Sequence, residues 1–212
     1  MQIKEKLRKF NFMSKIKLIV FDAYGVNLNG GYGDICAYFA KKFHRDPKEL
    51  YDILYTKYFN LAAEKKISQQ AAWELSIKEL RLPITARFLK QKHYSLMRLN
   101  KKVLSLAKEL KKYHHILLLS KNTRGQLADI NRHFPELKLV YGKNIVNTWE
   151  YDLPKASPAT VRMVLKRYNA KPEQTVFIDD QEQNLTAARA LGVHTILYKT
   201  FTQFKKELNS FL

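Results

Sequence analysis

The sequence predicts an α/β fold: a parallel sheet flanked by helices, with a helical segment inserted after the first strand. Short β-branched and apolar runs alternate with segments of helical periodicity through the C-terminal half of the chain. Directly after the first apolar run, about 70 residues show helical periodicity only. The chain has 212 residues and is 46% hydrophobic, enough for a sizeable core, so a disordered chain is excluded.

The predicted core begins with an apolar strand and then alternates helices with strands. Strands are predicted over residues 16–21, 115–120, 138–141, 175–178 and 195–198. Helices are predicted over residues 101–113, 125–134, 158–168 and 185–191, followed by a C-terminal helix. Ser157 is the expected N-cap before Pro158, and Gly192 the expected left-handed residue after a helix end. Alternation of this kind produces a parallel sheet covered by helices on both faces.

The inserted segment contains four predicted helices with no strand between them. They cover residues 34–44, 47–63, 69–80 and 86–98, and Ser68 and Thr85 are the expected N-caps. Tyr51, Tyr55, Tyr58 and Phe59 recur at helical spacing, which favours core packing over substrate contact. We therefore expect a basic N-terminal extension at 1–13, an α/β core at 14–30 and 100–212, and a helical cap at 31–99.

The formal net charge of +19 is unusually high, and 18 basic against 7 acidic residues lie between Lys41 and His115. A solvated lysine-rich surface is the favoured interpretation, because no basic run is dense and no nucleic-acid-binding motif is present. Attraction to nucleic acid or to an acidic protein is the alternative. Subunit composition is left open between monomer and homodimer.

Cysteine usage and hydropathy limit the setting of the protein. Cys36 is the only cysteine, which rules out an internal disulfide and a cysteine-rich zinc site. The apolar runs are too short to cross a bilayer, and Lys15, Lys17 and Asp22 interrupt any signal-peptide core. We therefore expect a cytoplasmic protein without a membrane partner.

Polar residues follow the predicted strands at the edge of the sheet where α/β proteins bind ligands. Asp22 follows the first strand, Ser120 ends the second, and Asp179 and Asp180 follow the run TVFI. Lys155 precedes the helix that leads into that run. Three carboxylates repel one another unless a cation lies among them, and a hard oxygen ligand set indicates Mg²⁺. A lysine and a hydroxyl beside the metal would hold a phosphate or carboxylate.

Four motifs in order make this sequence resemble the haloacid dehalogenase-like hydrolase superfamily over nearly its whole length. They are FDAYGV around Asp22, LLLS ending at Ser120, KASP beginning at Lys155, and FIDD ending at Asp180, followed by Asn184 and an alanine-containing helix. The insert is similar to the helical cap of the branch that contains haloacid dehalogenases and the phosphatase domain of epoxide hydrolases. The resemblance implies a Rossmann-like core with this cap, and hydrolase activity on a small substrate.

The resemblance also implies a role for each motif residue. Asp22 would be the nucleophile that forms an aspartyl ester, with Ser120 bound to the transferring group and Lys155 neutralising the charge. Asn184 would orient Lys155 and complete the substrate-binding set. The implied Mg²⁺ ligands are Asp22, the backbone carbonyl of Tyr24, Asp180, and Asp179 beside it or in the next layer.

One departure from the family pattern leaves three functions open. Tyr24 stands where phosphatases of the family carry a second aspartate, the proton donor and base, and tyrosine with a pKa of about 10 is a poor base near pH 7. The favoured function is a Mg²⁺-dependent phosphatase for a small phosphorylated metabolite. The second is a weak or inactive member with a binding role. The third is a 2-haloacid dehalogenase, which shares Asp-Ala-Tyr-Gly but usually carries serines in place of Asp179 and Asp180.

Overall fold

The computed structural model describes residues 16–212 and contains a five-stranded parallel sheet in the order β5-β4-β1-β6-β7. The order places β1 at the centre, between β4 and β6, so both neighbours of the first strand come from distant parts of the chain. The strands of this sheet are β1 Leu18–Asp22, β4 His115–Ser120, β5 Ile145–Asn147, β6 Thr175–Asp179 and β7 His194–Leu197. The α/β fold class predicted from the sequence is confirmed.

Helices cover both faces of the sheet, because alternate side chains of each strand point to opposite sides. The core helices are α6 Lys101–Leu110, α7 Arg124–His133, α8 Pro135–Tyr141, α9 Pro158–Tyr168, α10 Glu182–Ala190 and α11 Phe201–Phe211. Ile19 and Phe21 of β1 pack in one apolar cluster with residues of α6, α8 and α11. Leu18 and Val20 pack in the other with residues of α9 and α10.

The insert forms a third hydrophobic cluster of its own, which includes Phe39, Leu54, Trp73 and Leu89. Its helices are α1 Tyr32–Phe43, α2 Pro47–Tyr51, α3 Asn60–Ala63, α4 Gln69–Leu80 and α5 Ala86–Leu96. Between α2 and α3, Asp52–Phe59 is a π-helix. Ser68 and Thr85 cap α4 and α5 through their side chains, as the sequence predicted.

The chain enters and leaves the insert through two adjacent segments. These segments form a short antiparallel pair of strands, β2 Leu28–Asn29 and β3 Arg98–Leu99. The predicted helix over 86–98 therefore ends two residues early, because Arg98 pairs with Asn29 instead. Beyond this junction, Thr123 of the core donates a hydrogen bond to Gln69 of the insert at 2.9 Å. Contacts of this kind hold the insert over one edge of the sheet.

The strand predicted over residues 138–141 is wrong, because these residues belong to α8. Leu137, Val140 and Tyr141 are buried at the three- and four-residue spacing of a helix, while Leu139 between them is 79% exposed. Pro135 at the first turn favours helix, and the edge strand follows as β5, Ile145–Asn147.

The proposed extension over residues 1–13 lies outside the described residues, and the domain boundaries remain a prediction. Within residues 16–212, no helix is both long and apolar enough to cross a membrane.

Candidate active site

The carboxyl ends of the central strands place the motif residues side by side. Phe21 of β1 pairs with Leu118 of β4 and with Ile178 of β6, so the next residues, Asp22 and Asp179, lie level at the sheet edge. Both aspartates are buried. Two strand ends thus bring two carboxylates together in a place where water cannot screen their repulsion.

Lys155 joins these two aspartates. Its Nζ lies 2.5 Å from Asp22 Oδ1 and 2.6 Å from Asp179 Oδ2, and the side chain is only 11% exposed. Asp179 Oδ1 accepts hydrogen bonds from the Gln181 amide at 3.0 Å and from Asn184 Nδ2 at 2.9 Å. Both oxygens of Asp179 are therefore occupied by the chain. Asn184 fixes Asp179, which in turn fixes Lys155, so Asn184 orients the lysine through a carboxylate.

Asp22 uses its two oxygens differently. Oδ1 accepts the Ala23 amide at 2.6 Å and the Lys155 ammonium, while Oδ2 makes neither bond. Asn27 Nδ2 donates to the Asp22 backbone carbonyl at 2.7 Å and holds the loop after β1. The side chain is thus anchored at one oxygen with the other left for chemistry.

The carboxylate of Asp180 lies against the backbone of Gly25. Gly25 has φ +75°, and a β-carbon added there would be 2.0 Å from Asp180 Oδ2. Only glycine allows this approach. Asp180 is exposed, and it makes no ion pair within residues 16–212. Asp179 and Asp180, adjacent in sequence, thus have different environments.

Ser120 is buried in a network of asparagines. Asn122 Nδ2 donates to Ser120 Oγ, and the Asn122 amide donates to Asn147 Oδ1 at 2.9 Å. Asn147 Nδ2 returns a bond to the Asn122 carbonyl at 2.8 Å. Asn147 pairs in register with Ser120 at the end of β5. The sequence does not identify Asn147 as a site residue, because it predicts this strand over residues 138–141. The signal that could have identified Asn147 is a polar residue at the end of a short apolar run.

The ring of Tyr24 turns toward the cavity above the sheet edge. Its hydroxyl accepts a hydrogen bond from Gln126 Nε2 at 3.2 Å, and its ring lies 3.3 Å from the β-carbon position of Gly31. Burial raises the pKa of Tyr24 well above its ordinary value. A hydroxyl with a raised pKa stays protonated near neutral pH, so it is a poor base there. Gln126 had no signal in the sequence, because the contact spans 102 positions.

A cavity of about 530 Å³ opens above these residues, between the sheet edge and the insert. Its size is within the range of about 300–1,000 Å³ that is usual for small-molecule sites. The core contributes the motif residues Asp22, Tyr24, Ser120, Lys155, Asp180 and Asn184, together with Gly25, Lys121, Asn122, Gln126 and Gln181. The insert contributes Tyr32, Gly33, Asp34, Tyr51, Tyr55 and Phe59. Tyr51, Tyr55 and Phe59, interpreted from the sequence as core packing, also line this cavity.

Burial, together with the crowding of three acids, determines the electrostatics of the site. Burial, aided by Asp179, raises the pKa of Asp22 to about 7 although Lys155 opposes the shift. Burial followed by Asp179 also raises the pKa of Asp180. Burial alone would lower the pKa of Lys155. Asp22 and Asp179 favour the charged form of the lysine and outweigh burial, so the pKa is raised. Three carboxylates therefore lie together and the Lys155 ammonium pairs with only two of them, an excess of negative charge that a cation would relieve.

The residues present fit a divalent metal. One carboxylate oxygen from each of Asp22, Asp179 and Asp180 lies within 4.8 Å of the other two. Carboxylate oxygens are hard ligands of the kind Mg²⁺ prefers, and the described residues of this cluster include no sulfur or imidazole donor. Because the chain already occupies both oxygens of Asp179, Asp22 and Asp180 are the better placed ligands.

Comparison with known proteins identifies the family. The model of the haloacid dehalogenase-like hydrolases matches residues 16–192, so the chain belongs to this family of hydrolases. The resemblance carried by the four motifs is therefore confirmed, as is the expectation of a hydrolase. A comparison with curated proteins gave no match.

Solved structures with the same fold are distant in sequence. A HAD family enzyme of Bacteroides thetaiotaomicron in its magnesium complex shares 19% identity, with a TM-score of 0.75 over 92% of this chain and 98% of that one. A predicted HAD-like family hydrolase of Porphyromonas gingivalis shares 20%, with a TM-score of 0.70 over 92% and 97%. An L-2-haloacid dehalogenase shares 18%, with a TM-score of 0.62 over 85% and 83%. At these identities the likeness establishes the fold.

Proposed function

We propose that this hydrolase is a Mg²⁺-dependent phosphatase that cleaves a small phosphomonoester through an aspartyl-phosphate on Asp22. The observation that carries the proposal is the cluster of Asp22, Asp179 and Asp180 carboxylates at the sheet edge, where Lys155 pairs with only two of the three. Such a cluster attracts a cation and, with that cation bound, a phosphate. The magnesium complex of the Bacteroides enzyme, which has the same fold, supports the choice of metal.

The residues of the chain divide the first step between them. Asp22 Oδ2 attacks phosphorus and forms the new oxygen–phosphorus bond. The bond from phosphorus to the ester oxygen breaks, and that oxygen leaves with the electron pair and takes up a proton from water. Lys155 holds Oδ1 and offsets charge on the transferring group. Ser120 and Asn122 line the cavity where the phosphoryl oxygens would lie. A Mg²⁺ held by Asp22, the Tyr24 carbonyl and Asp180 would supply Lewis-acid charge neutralisation.

The second step lacks an evident base. Water must attack the aspartyl-phosphate, lose a proton and release inorganic phosphate with the Asp22 carboxylate. Tyr24 cannot take that proton, because burial raises its pKa. Loss of general base help costs about 10²–10⁴-fold in rate. We infer a phosphatase whose second step is slow.

The dehalogenase alternative is less well supported by this site. A 2-haloacid carries a carboxylate, which Asp179 and Asp180 would repel in the absence of a metal. The alternative of a binding role with little turnover rests on Tyr24 and on the net charge of +19. The charge is not concentrated in the cavity, where Lys121 and Lys155 are the only basic residues among those described.

Phosphate release from a panel of small phosphate esters tests the proposal. Release is expected to require Mg²⁺, to stop with a chelator and to disappear in Asp22→Asn, which keeps the size of the side chain but not the nucleophile. Full activity in Asp22→Asn would refute the mechanism. Halide release from 2-haloacids that survives the chelator would favour the dehalogenase. Retained Mg²⁺ binding with no turnover of any ester would favour the binding role.

A further inference from the structure

The insert presents a row of aromatic rings to the cavity. Tyr51 at the end of α2 and Tyr55 and Phe59 on the π-helix follow one another at intervals of four residues, and neighbouring ring centroids are 5.0 and 5.1 Å apart. Tyr55 and Phe59 are stacked at 10°, while Tyr51 at the end of the row is 37% exposed. Tyr32 from α1 closes the row at 5.1 Å from Tyr55 and 5.0 Å from Phe59. We call Tyr32, Tyr51, Tyr55 and Phe59 the aromatic wall.

The aromatic wall lies within reach of the reacting groups. All four of its residues line the same cavity as Asp22, Lys155 and Asp180. Burial raises the pKa of Tyr55, and the charges of Lys155, Asp22 and Asp180 act on its hydroxyl as well. A molecule whose phosphate is held at the sheet edge therefore extends toward the wall.

The remaining lining residues of the insert indicate what that extension carries. Among the described residues, none of the many lysines and arginines of the insert lines the cavity. Its one charged lining residue, Asp34, is paired with Arg98 at 3.5 Å. Four of the six lining residues of the insert are aromatic. Such a surface does not neutralise a second anionic group and, apart from the tyrosine hydroxyls, offers few polar contacts to a sugar, whereas a flat ring packs well on it.

We propose that the substrate is a phosphate monoester whose alcohol carries a neutral aromatic ring, bound against Tyr51 and Tyr55. This inference rests on the proposed function for the site of phosphate transfer, and it specifies the leaving group. Offset or edge-on packing of one further ring is expected to improve binding about three- to tenfold over a saturated ring of the same size.

A matched pair of ligands tests the inference without turnover. Benzylphosphonate and cyclohexylmethylphosphonate differ in the aromaticity of the ring, and neither has an ester bond to hydrolyse. Calorimetric titration in Mg²⁺ is expected to give a three- to tenfold preference for the benzyl compound. The preference should fall to near unity in Tyr55→Leu. Equal affinities in the unaltered protein, or a preference that persists in Tyr55→Leu, would overturn the inference.

Two variants separate stacking from general damage. Tyr58 lies on the same segment but outside the cavity, and its hydroxyl donates to Glu79 at 2.5 Å. Tyr58→Leu is therefore expected to keep the preference for the benzyl compound. If Tyr55→Leu does not fold, Tyr51→Leu takes its place, with a smaller but measurable loss of preference expected. No loss in a folded Tyr51→Leu would then count against the wall.

Turnover distinguishes failure of this inference from failure of the proposed function. The ratio of kcat/KM for benzyl phosphate over cyclohexylmethyl phosphate should follow the binding preference, and hexose phosphates should be poorer than both. Acetyl phosphate, which has no ring, reports on the phosphatase chemistry alone. Its Mg²⁺-dependent hydrolysis without any ring preference would sink this inference only. Its failure to react would sink the proposed function, and the phosphonate titration would still decide the ring preference.

Discussion

The carboxylate of Asp180 occupies the space that a side chain on Gly25 would need, because a β-carbon at that glycine would lie 2.0 Å from Asp180 Oδ2. The backbone of the loop after β1 thus contacts a carboxylate from the turn after β6. The position of Asp180 in the fourth motif therefore depends on the absence of a side chain at Gly25 in the first motif. Both residues line the cavity.

Gly25→Ala is therefore expected to reduce Mg²⁺-dependent activity by at least an order of magnitude, because Asp180 must move. The φ of +75° adds strain of about 1–2 kcal/mol to the free energy of folding. Gly192→Ala is the control, since Gly192 has φ +81° and an added β-carbon there would meet only Pro172 at 3.7 Å, an ordinary contact distance. Urea unfolding should show a loss of stability for both variants, and Mg²⁺ titrations of activity should change only for Gly25→Ala. Normal Mg²⁺ dependence in Gly25→Ala would contradict this account.

Asp179 and Asp180 are expected to respond differently to the same substitution. Asp179→Asn weakens the hold on Lys155, so kcat should fall strongly while the Mg²⁺ concentration for half activity changes little. Asp180→Asn removes a negative charge from the proposed metal site, so the Mg²⁺ concentration for half activity should rise by about tenfold or more. Activity titrated with Mg²⁺ separates the two outcomes. Identical profiles for both variants would show that the two carboxylates are equivalent.

A slow second step predicts accumulation of phosphorylated enzyme. With acetyl phosphate, whose leaving group needs little proton donation, acetate release should show a burst of about one equivalent per active site, followed by slow turnover. Tyr24→Asp supplies a base and should speed the steady state by about 10–100-fold, below the full range for general base catalysis because the new carboxylate is not tuned. Rapid-quench measurements check the burst.

Tyr24→Phe is the control for that experiment. It removes the hydroxyl that accepts from Gln126 but adds no base, so the burst and the slow steady state should both remain. A steady state in Tyr24→Asp no faster than in Tyr24→Phe would locate the limiting step elsewhere.

His93 predicts a specific dependence of stability on pH. The side chain is fully buried, with ring centroids of Tyr32, Trp73 and Tyr94 at 4.8, 5.4 and 5.1 Å. Burial lowers its pKa from 6.5 to about 3, so the unfolded chain binds a proton that the folded protein rejects. Its contribution is complete above pH 6.5 and is lost as the pH falls toward 3, at about 1.4 kcal/mol per unit.

The measurement is the difference in unfolding free energy between His93→Phe and the unaltered protein. That difference should shift in favour of the variant by about 2 kcal/mol between pH 6.5 and 4.5. Asp22, whose folded pKa of about 7 gives stability that is lost as the pH rises, contributes equally to both proteins and cancels. A pH-independent difference for His93→Phe would refute the assignment.

The sequence by itself determined four of the five strands and the edge of the sheet at which the candidate site residues lie. Asp22, Ser120 and Asp179 each end an apolar run, and the carboxyl ends of parallel strands share one edge, so local patterns sufficed to bring them together. The N-caps Ser68, Thr85 and Ser157 were equally local, because a cap bonds an amide only two or three residues on.

Only the tertiary structure decided the rest. The edge strand was misplaced because the run around Val140 is apolar enough for either state, and packing against the sheet selects helix. With the correct β5, Asn147 joins the site, and Gln126 reaches Tyr24 from another helix. Contacts between segments far apart in the chain give Asp179 and Asp180 their different environments. Such contacts also orient the aromatic wall toward the cavity. Spacing along the sequence carries no record of such contacts, because they are fixed by how the insert and the core pack.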